Sequence, residues 1–327
     1  MGQTARGEER PTAFDFRPPS PGAAYFDTGE KAWVLSRYTD VLAAFRENRL
    51  IPIGSGRAVA AKDKLREETI TALGPEKLAV WRERLAALAE RLAAGLPSTR
   101  TVDLVSEFLR PYCTAVAVSV TGADPSDGER LADLAAHISA VTAENAAPEL
   151  EARAKAARVE LERCLPAPPM GEPVFVALSQ TLKSLLSNSW LALMQNPSQL
   201  QRLQSDRSMM TSAIEELIRY AGVTRKLYRR AFENVTLGGI TIAKGEDAIL
   251  MVASANWDAD QFAEPDVFDI GRRATSQLGF GSGDHSCVGA ALIRMGATVA
   301  TSAMVGRMGT LVRWRGDRFV TGIEVRM

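Results

Sequence analysis

Cysteine and histidine are scarce in this chain, three of the first and two of the second among 327 residues. Cys113, Cys164 and Cys287 are odd in number and far apart, which excludes a disulfide framework and fits a reducing compartment. A zinc site takes about four ligands at close spacing, and the scattered cysteines and histidines supply no recognisable set. An excess of either charge is also missing. Thirty-nine Lys and Arg balance thirty-nine Asp and Glu, so no net field draws the protein to nucleic acid or to an anionic membrane. No apolar run approaches the ~20 residues of a membrane span. The opening MGQTARGEERPTAFDFRPPSPG lacks the apolar centre of a secretory signal. These absences lead to the expectation of a cytoplasmic protein with no nucleic-acid or membrane partner.

Hydrophobic residues make up 46% of the chain, enough to bury the core of one large domain or two smaller ones. The first twenty residues are polar and proline-bearing, and a loose arm is expected there. AAYFDT and AWVLSR read as short strands around the turn GEK, and YTDVLAAFREN as a helix with Val41, Leu42 and Phe45 apolar. IPIGSG reads as a loop. From Ala60 to about Glu162 alanine and leucine recur at helical spacing opposite charged faces. His137, on the apolar face of one of these helices, reads as an ordinary half-buried histidine. LPAPPMGEP breaks the pattern, and a long helix is expected from near Pro173 to Gln195, closed by NP. Two further helices follow. After Gly222 the text turns to strands, then to the long helix VGAALIRMGATVATSAMVGRM and a terminal hairpin. The pattern predicts a mainly α protein with a small antiparallel β-sheet region formed from both ends of the chain.

The scarce residues meet in FGSGDHSCVG, from Phe280 to Gly289. A phosphate loop would carry a lysine and a βαβ setting, and neither is present. A cysteine nucleophile would want a facing histidine, but His285 and Cys287 are only two residues apart and no protease signature surrounds them. A lone thiolate does suffice as the protein ligand of haem iron. Gly281 and Gly283 permit positive φ and a close backbone approach to a flat macrocycle, and Cys287 stands at a helix N-terminus that favours thiolate.

FGSGDHSCVGAALIR resembles the cysteine-ligand loop of the cytochrome P450 enzymes. EELIR resembles the family's Glu-x-x-Arg signature, with Glu216 and Arg219 one turn apart and Arg272 of FDIGR as the expected third member. ANWDADQFAEPDVFDIGR and RRAFENVTLGGITIAKGE are similar to family segments as well. The resemblance is continuous from about Pro173 to the end and weaker from the first strands through residue 140. It implies a cytochrome P450-like fold, residues 21–327 as one haem domain, and haem b as cofactor.

The resemblance assigns Cys287 to the iron and His285, Arg229, Lys62 and Arg66 to the haem propionates. Phe280 would pack near the sulfur, while Gly281 and Gly289 would clear the macrocycle. ALSQTL falls on the oxygen-activating segment, where Ala177 and Thr181 match the family. Leu178 replaces a glycine and Gln180 an acid, so Gln180 cannot titrate. Thr181 and Gln180 are the candidate catalytic pair, and Leu178 is expected to narrow the oxygen groove. With Ala177 and Leu178, residues Val223, Thr224, Leu227 and Thr321 are candidate substrate contacts. Chain is missing relative to the family around residues 141–172, which implies an open pocket or one covered by a second subunit or partner.

The implied function is a monooxygenase acting on a small-molecule substrate with dioxygen, drawing electrons from a ferredoxin- or flavodoxin-type donor. Arg272, Arg273 and Arg294 are candidates for docking that donor. Gln180 and Leu178 motivate an alternative, a peroxygenase, isomerase or dehydratase. The shortened chain motivates another, a non-catalytic haem-binding accessory protein.

Overall fold

The stretch expected to form a long helix near Pro173–Gln195 is the axis of the fold. A computed structural model describes residues 14–53, 59–141, 147–166, 170–316 and 320–327. Strands β1 (Tyr25–Asp27) and β2 (Ala32–Leu35) precede helix α1 (Tyr38–Arg46) and strand β3 (Leu50–Pro52). Helices α2 (Val59–Ala72) and α3 (Pro75–Gly95) follow, then strand β4 (Thr101–Asp103) and helices α4 (Arg110–Thr121), α5 (Gly128–Ala140) and α6 (Pro148–Cys164). The axis comprises α7 (Glu172–Val176), a π turn at Ala177–Thr181, and α8 (Leu182–Gln195). Backbone at Ala177 and Thr181 stays in the right-handed helical region, so the three segments are continuous. Helices α9 (Pro197–Ser205) and α10 (Met210–Ala221) lead to strands β5 (Leu227–Ala231), β6 (Val235–Leu237), β7 (Ile240–Ile242) and β8 (Asp247–Leu250). A short helix α11 (Val252–Ala255), a long coil, α12 (Ala290–Met304) and the hairpin β9 (Thr310–Gly316) and β10 (Val320–Arg326) complete the order.

Every residue of α8 from Leu185 to Met194 is buried, because this helix is apolar on nearly all sides and helices pack around it. Its buried polar groups are bonded. Trp190 Nε1 donates to Thr301 Oγ1 of α12 at 3.1 Å, and Asn188 Nδ2 donates to the Ala221 carbonyl at 3.0 Å. Gly296 lets α12 close on α8, since a Cβ there would sit 2.9 Å from Leu182 Cδ2.

The sheet region differs from the expected single antiparallel sheet. Five strands run in the order β1-β2-β8-β5-β3, and β2 pairs with β8 in parallel. The terminal hairpin joins β4 in a separate sheet, and β6 and β7 form a third. Strands of three or four residues alternate too few times to declare their partners, and TVD at β4, though it follows the breaker GLPST, is too short to read as a strand. Residues 1–13 of the expected loose arm lie outside the described residues, and the rest of that stretch is partly packed. Phe14 and Phe16 are buried, Phe14 packing edge-on against Trp314 at 4.9 Å and Phe16 against Tyr220 at 5.8 Å.

Glu216 and Arg219 are buried in full and bond through Arg219 Nε to Glu216 Oε2 at 2.7 Å and Arg219 Nη2 to Glu216 Oε1 at 2.8 Å. Arg272 Nε adds a third bond to Glu216 Oε1 at 3.2 Å. Arg272 also donates to the carbonyls of Ala263, Glu264 and Val267, which commits it to the interior rather than to docking a partner. Replacing Glu216 by leucine leaves two buried guanidinium groups uncompensated. That variant is expected to lose ~3–5 kcal/mol of stability, read from the urea unfolding midpoint.

Candidate functional site

The coil between α11 and α12 has little regular structure, and its shape comes from specific bonds. Asn256 Oδ1 accepts from the Leu278 amide at 2.7 Å, and the Leu278 carbonyl accepts from the Gly281 amide at 2.8 Å. Gly281 and Gly283 both have φ +70°, as the sequence led one to expect. A Cβ on Gly283 would also press to 3.1 Å from the Phe45 carbonyl oxygen of α1. The turn brings the Cys287 amide onto the Phe280 carbonyl at 2.8 Å and places Cys287 just ahead of α12.

The Cys287 thiol opens into a cleft with an empty volume of about 820 Å³, part of it open to solvent. The axial helix contributes Ala177, Thr181 and Leu185, and α10 with its following segment contributes Ile218, Val223, Thr224 and Leu227. Gly279, Phe280, Gly281, His285 and Cys287 come from the coil, Ile293 from α12 and Phe45 from α1. The expected Ala177, Thr181, Val223, Thr224, Leu227, Phe280, Gly281, His285 and Cys287 are thus gathered on one cavity. Phe45, Leu185, Ile218, Gly279 and Ile293 were not foreseen as site residues. Leu185 was legible, lying one turn beyond Thr181.

Burial among the cleft walls raises the Cys287 thiol above its ordinary pKa, while the Gly289 amide, Arg66 and Arg294 pull it back. Arg66 donates from Nη1 to the Ser286 carbonyl at 2.6 Å and from Nη2 to Ser286 Oγ at 3.2 Å, so α2 is tied to the residue beside the thiol. Arg229 is 5% exposed, bonds to the Tyr228 carbonyl at 3.0 Å and lies over the Phe45 ring at 5.8 Å. No carboxylate among the described residues pairs with it, and burial pulls its pKa down. The side chains of Lys62 and Thr321 lie outside the described residues.

Two expected site residues face elsewhere. Gln180 is buried, with Nε2 donating to the Ala132 carbonyl of α5 at 3.0 Å and Oε1 accepting from Lys183 Nζ at 2.7 Å. Leu178 is 1% exposed in the helical core. The helix presents 177, 181 and 185 to the cleft, and 178 and 180 project from other sides of the same turns. Lys226, beside the cleft-lining Leu227, pairs with Glu30 at 3.5 Å.

These features fit haem. Among the described residues no three His, Cys, Asp or Glu gather as metal ligands, so a metal at Cys287 brings its other ligands with it. A Cβ on Gly289 would lie 3.9 Å from Sγ, an ordinary contact, so the protein's own atoms leave this side of the sulfur open. The buried Arg229 suits a carboxylate supplied by a ligand.

Comparison with known proteins agrees. The family model for Cytochrome P450 matches residues 177–308. Cytochrome P450 107B1 of Saccharopolyspora erythraea is 28% identical, with 90% of this chain and 88% of that protein covered. That alignment spans 362 residues, more than this chain contains, so part of the relative has no counterpart here. Vitamin D(3) 25-hydroxylase of Pseudonocardia autotrophica is 28% identical over 84% of this chain and 79% of its own. The crystal structure of P450BioI in complex with hexadec-9Z-enoic acid ligated acyl carrier protein superposes with a TM-score of 0.83 at 23% identity, covering 93% of this chain and 94% of that one. Fold and comparisons together define a haem-containing oxidoreductase. Family model, relatives and fold all support a cytochrome P450.

The placement of Gln180 has a direct test. Gln180→Leu strips the Ala132 carbonyl and Lys183 of a partner and is expected to cost ~1–3 kcal/mol in chemical unfolding. Equilibrium titration of the cleft with small apolar compounds should give the wild-type affinity.

Proposed function

We propose that the protein is a haem-thiolate monooxygenase for small, largely apolar molecules, with Cys287 as the protein ligand of the iron. A separate ferredoxin- or flavodoxin-type protein donates the electrons. The observation that carries the reading is the lone thiol at the head of α12, opening into an apolar cleft that it shares with Thr181. Haem b, when bound, supplies the dioxygen and redox chemistry.

The side chains around the cleft do the rest. Cys287 gives up its thiol proton on binding the metal, aided by the Gly289 amide, Arg66 and Arg294. Arg229, His285, Arg66 and Lys62 would hold the haem carboxylates by charge-assisted bonds. Gly281 and Gly289 leave room for the macrocycle. Thr181 offers a hydroxyl that both accepts and donates a proton within the cleft. Leu185, Ile218, Val223, Leu227 and Ile293 exclude water and receive the substrate, with Ala177 and Thr224 beside them and Thr321 as a further contact. Gln180, bonded to α5 and to Lys183, and Leu178, buried in the helical core, take no part in this chemistry, and the peroxygenase, isomerase and dehydratase readings lose the two residues that motivated them.

Residues 14–327 form one haem domain in this reading, shortened around 141–172. Part of the relative has no counterpart in this chain, and this reading assigns the loss to the roof, covered in the working enzyme by the substrate itself, a second subunit or a partner.

The reduced carbon-monoxide difference spectrum tests the ligand. Wild-type protein is expected to give the Soret band of a thiolate-ligated haem, and Cys287→Ala to lose it. A wild-type protein loaded with haem yet lacking that band would refute the assignment. Thr181→Ala is expected to keep substrate affinity, measured by the spin-state shift, while product formation with dioxygen and a donor falls by about 10²-fold.

A further inference from the structure

Phe280 is held from outside the cleft by a chain of contacts that reaches the protein surface. The Arg294 guanidinium lies over its ring, with Cζ 4.5 Å from the centroid. Arg294 lies in the second turn of α12, which begins three residues after Cys287, and its charge acts on the Cys287 thiol. Arg294 does not lie there freely. Its Nε and Nη2 bond to the two oxygens of Glu215 at 2.5 and 3.1 Å, a fork that fixes the plane of the guanidinium. Glu215 is 9% exposed and accepts a further bond from Gln277 Nε2 at 3.1 Å. Gln277 Oε1 in turn accepts the Gly279 amide at 2.6 Å, so the same carboxylate braces the backbone entering Phe280.

From Phe280 the chain continues inward. Its carbonyl accepts the Cys287 amide at 2.8 Å. Ring and backbone of one residue therefore link a half-exposed arginine to the proposed iron ligand.

We propose that Arg294 and Glu215 are positioning residues that act through Phe280: they fix its ring and carbonyl, and so set the orientation of Cys287 and the reduction potential of the bound haem. The inference rests on Cys287 as the iron ligand. An ordinary surface ion pair would leave the potential at its wild-type value. A bare charge effect would need only a cation at position 294, which lysine keeps, whereas the flat stacked contact needs arginine.

The test is a spectroelectrochemical titration of the haem-loaded protein, run beside the reduced carbon-monoxide spectrum. Arg294→Lys and Glu215→Gln are each expected to change the ferric-to-ferrous ratio at a fixed poise by roughly three- to tenfold, about 28–59 mV for one electron. In a Phe280→Leu background Arg294→Lys should have no further effect, because the intermediary is gone. A wild-type potential in both single variants would overturn the proposal, as would an Arg294→Lys shift of equal size with and without Phe280. Wild-type protein without the thiolate band would overturn the ligand assignment itself and this inference with it, an outcome visible before any variant is compared.

Discussion

The rest of the molecule depends on the buried charge cluster around Glu216. Ion pairs of this kind seldom stabilise more than apolar side chains of the same volume, so their value lies in what they specify. Here they specify the path of a coil. Arg219 donates to the carbonyls of Asn256 and Pro265, Arg272 to those of Ala263, Glu264 and Val267, and Glu216 accepts the Asp269 amide. Backbone that makes no ladder of its own is satisfied by charged side chains instead. Asn256 then hands the constraint to Leu278, and Leu278 to the turn that presents Cys287. The position of a thiol is thus decided some seventy residues away in sequence, on α10.

A chain with no net charge still builds a strongly cationic neighbourhood. Arg66 and Arg294 come from α2 and α12 and both act on one thiol that the walls alone would keep protonated, while Arg229 of β5 lies buried over the Phe45 ring of the cleft wall. The balance of acids and bases over the whole sequence governs solubility and steering, while the chemistry depends on where individual guanidinium groups stand. Arg229 makes the point most sharply, since a buried cation with no carboxylate partner among the described residues is costly until a ligand brings one.

The proximal half of the site was legible in the sequence because its logic is local. A turn that needs positive φ declares its glycines, and a thiol at a helix start declares its electrostatics. Glu216 and Arg219 are one turn apart, and the third partner, Arg272, sits in a coil that has few other ways to bond its backbone. The distal half was legible only in part. Counting along the helix set Thr181, Gln180 and Leu178 in one segment, and only Thr181 of the three lines the cleft, because matching positions in a text says nothing of the direction in which a side chain projects. Phe45 and Ile293 were missed for another reason: an apolar residue in a helix reads the same whether it faces a neighbour or an open cleft. The polar opening stretch concealed Phe14 and Phe16, two aromatic rings that outweigh their surroundings once Trp314 and Tyr220 are near.

The π turn at Ala177–Thr181 sets the rotational phase of the axial helix. Each residue of an α-helix advances the side chain by about 100°, so one residue more or fewer within that turn would swing everything before it by a quarter of a circle or more relative to α8. Because α8 is locked on every side, the swing would fall wholly on α7 and the residues that begin the cleft wall. A single-residue deletion here would therefore act less like a lost contact than like a mis-set key, leaving the barrel intact and turning Ala177 and its neighbours away from the cleft.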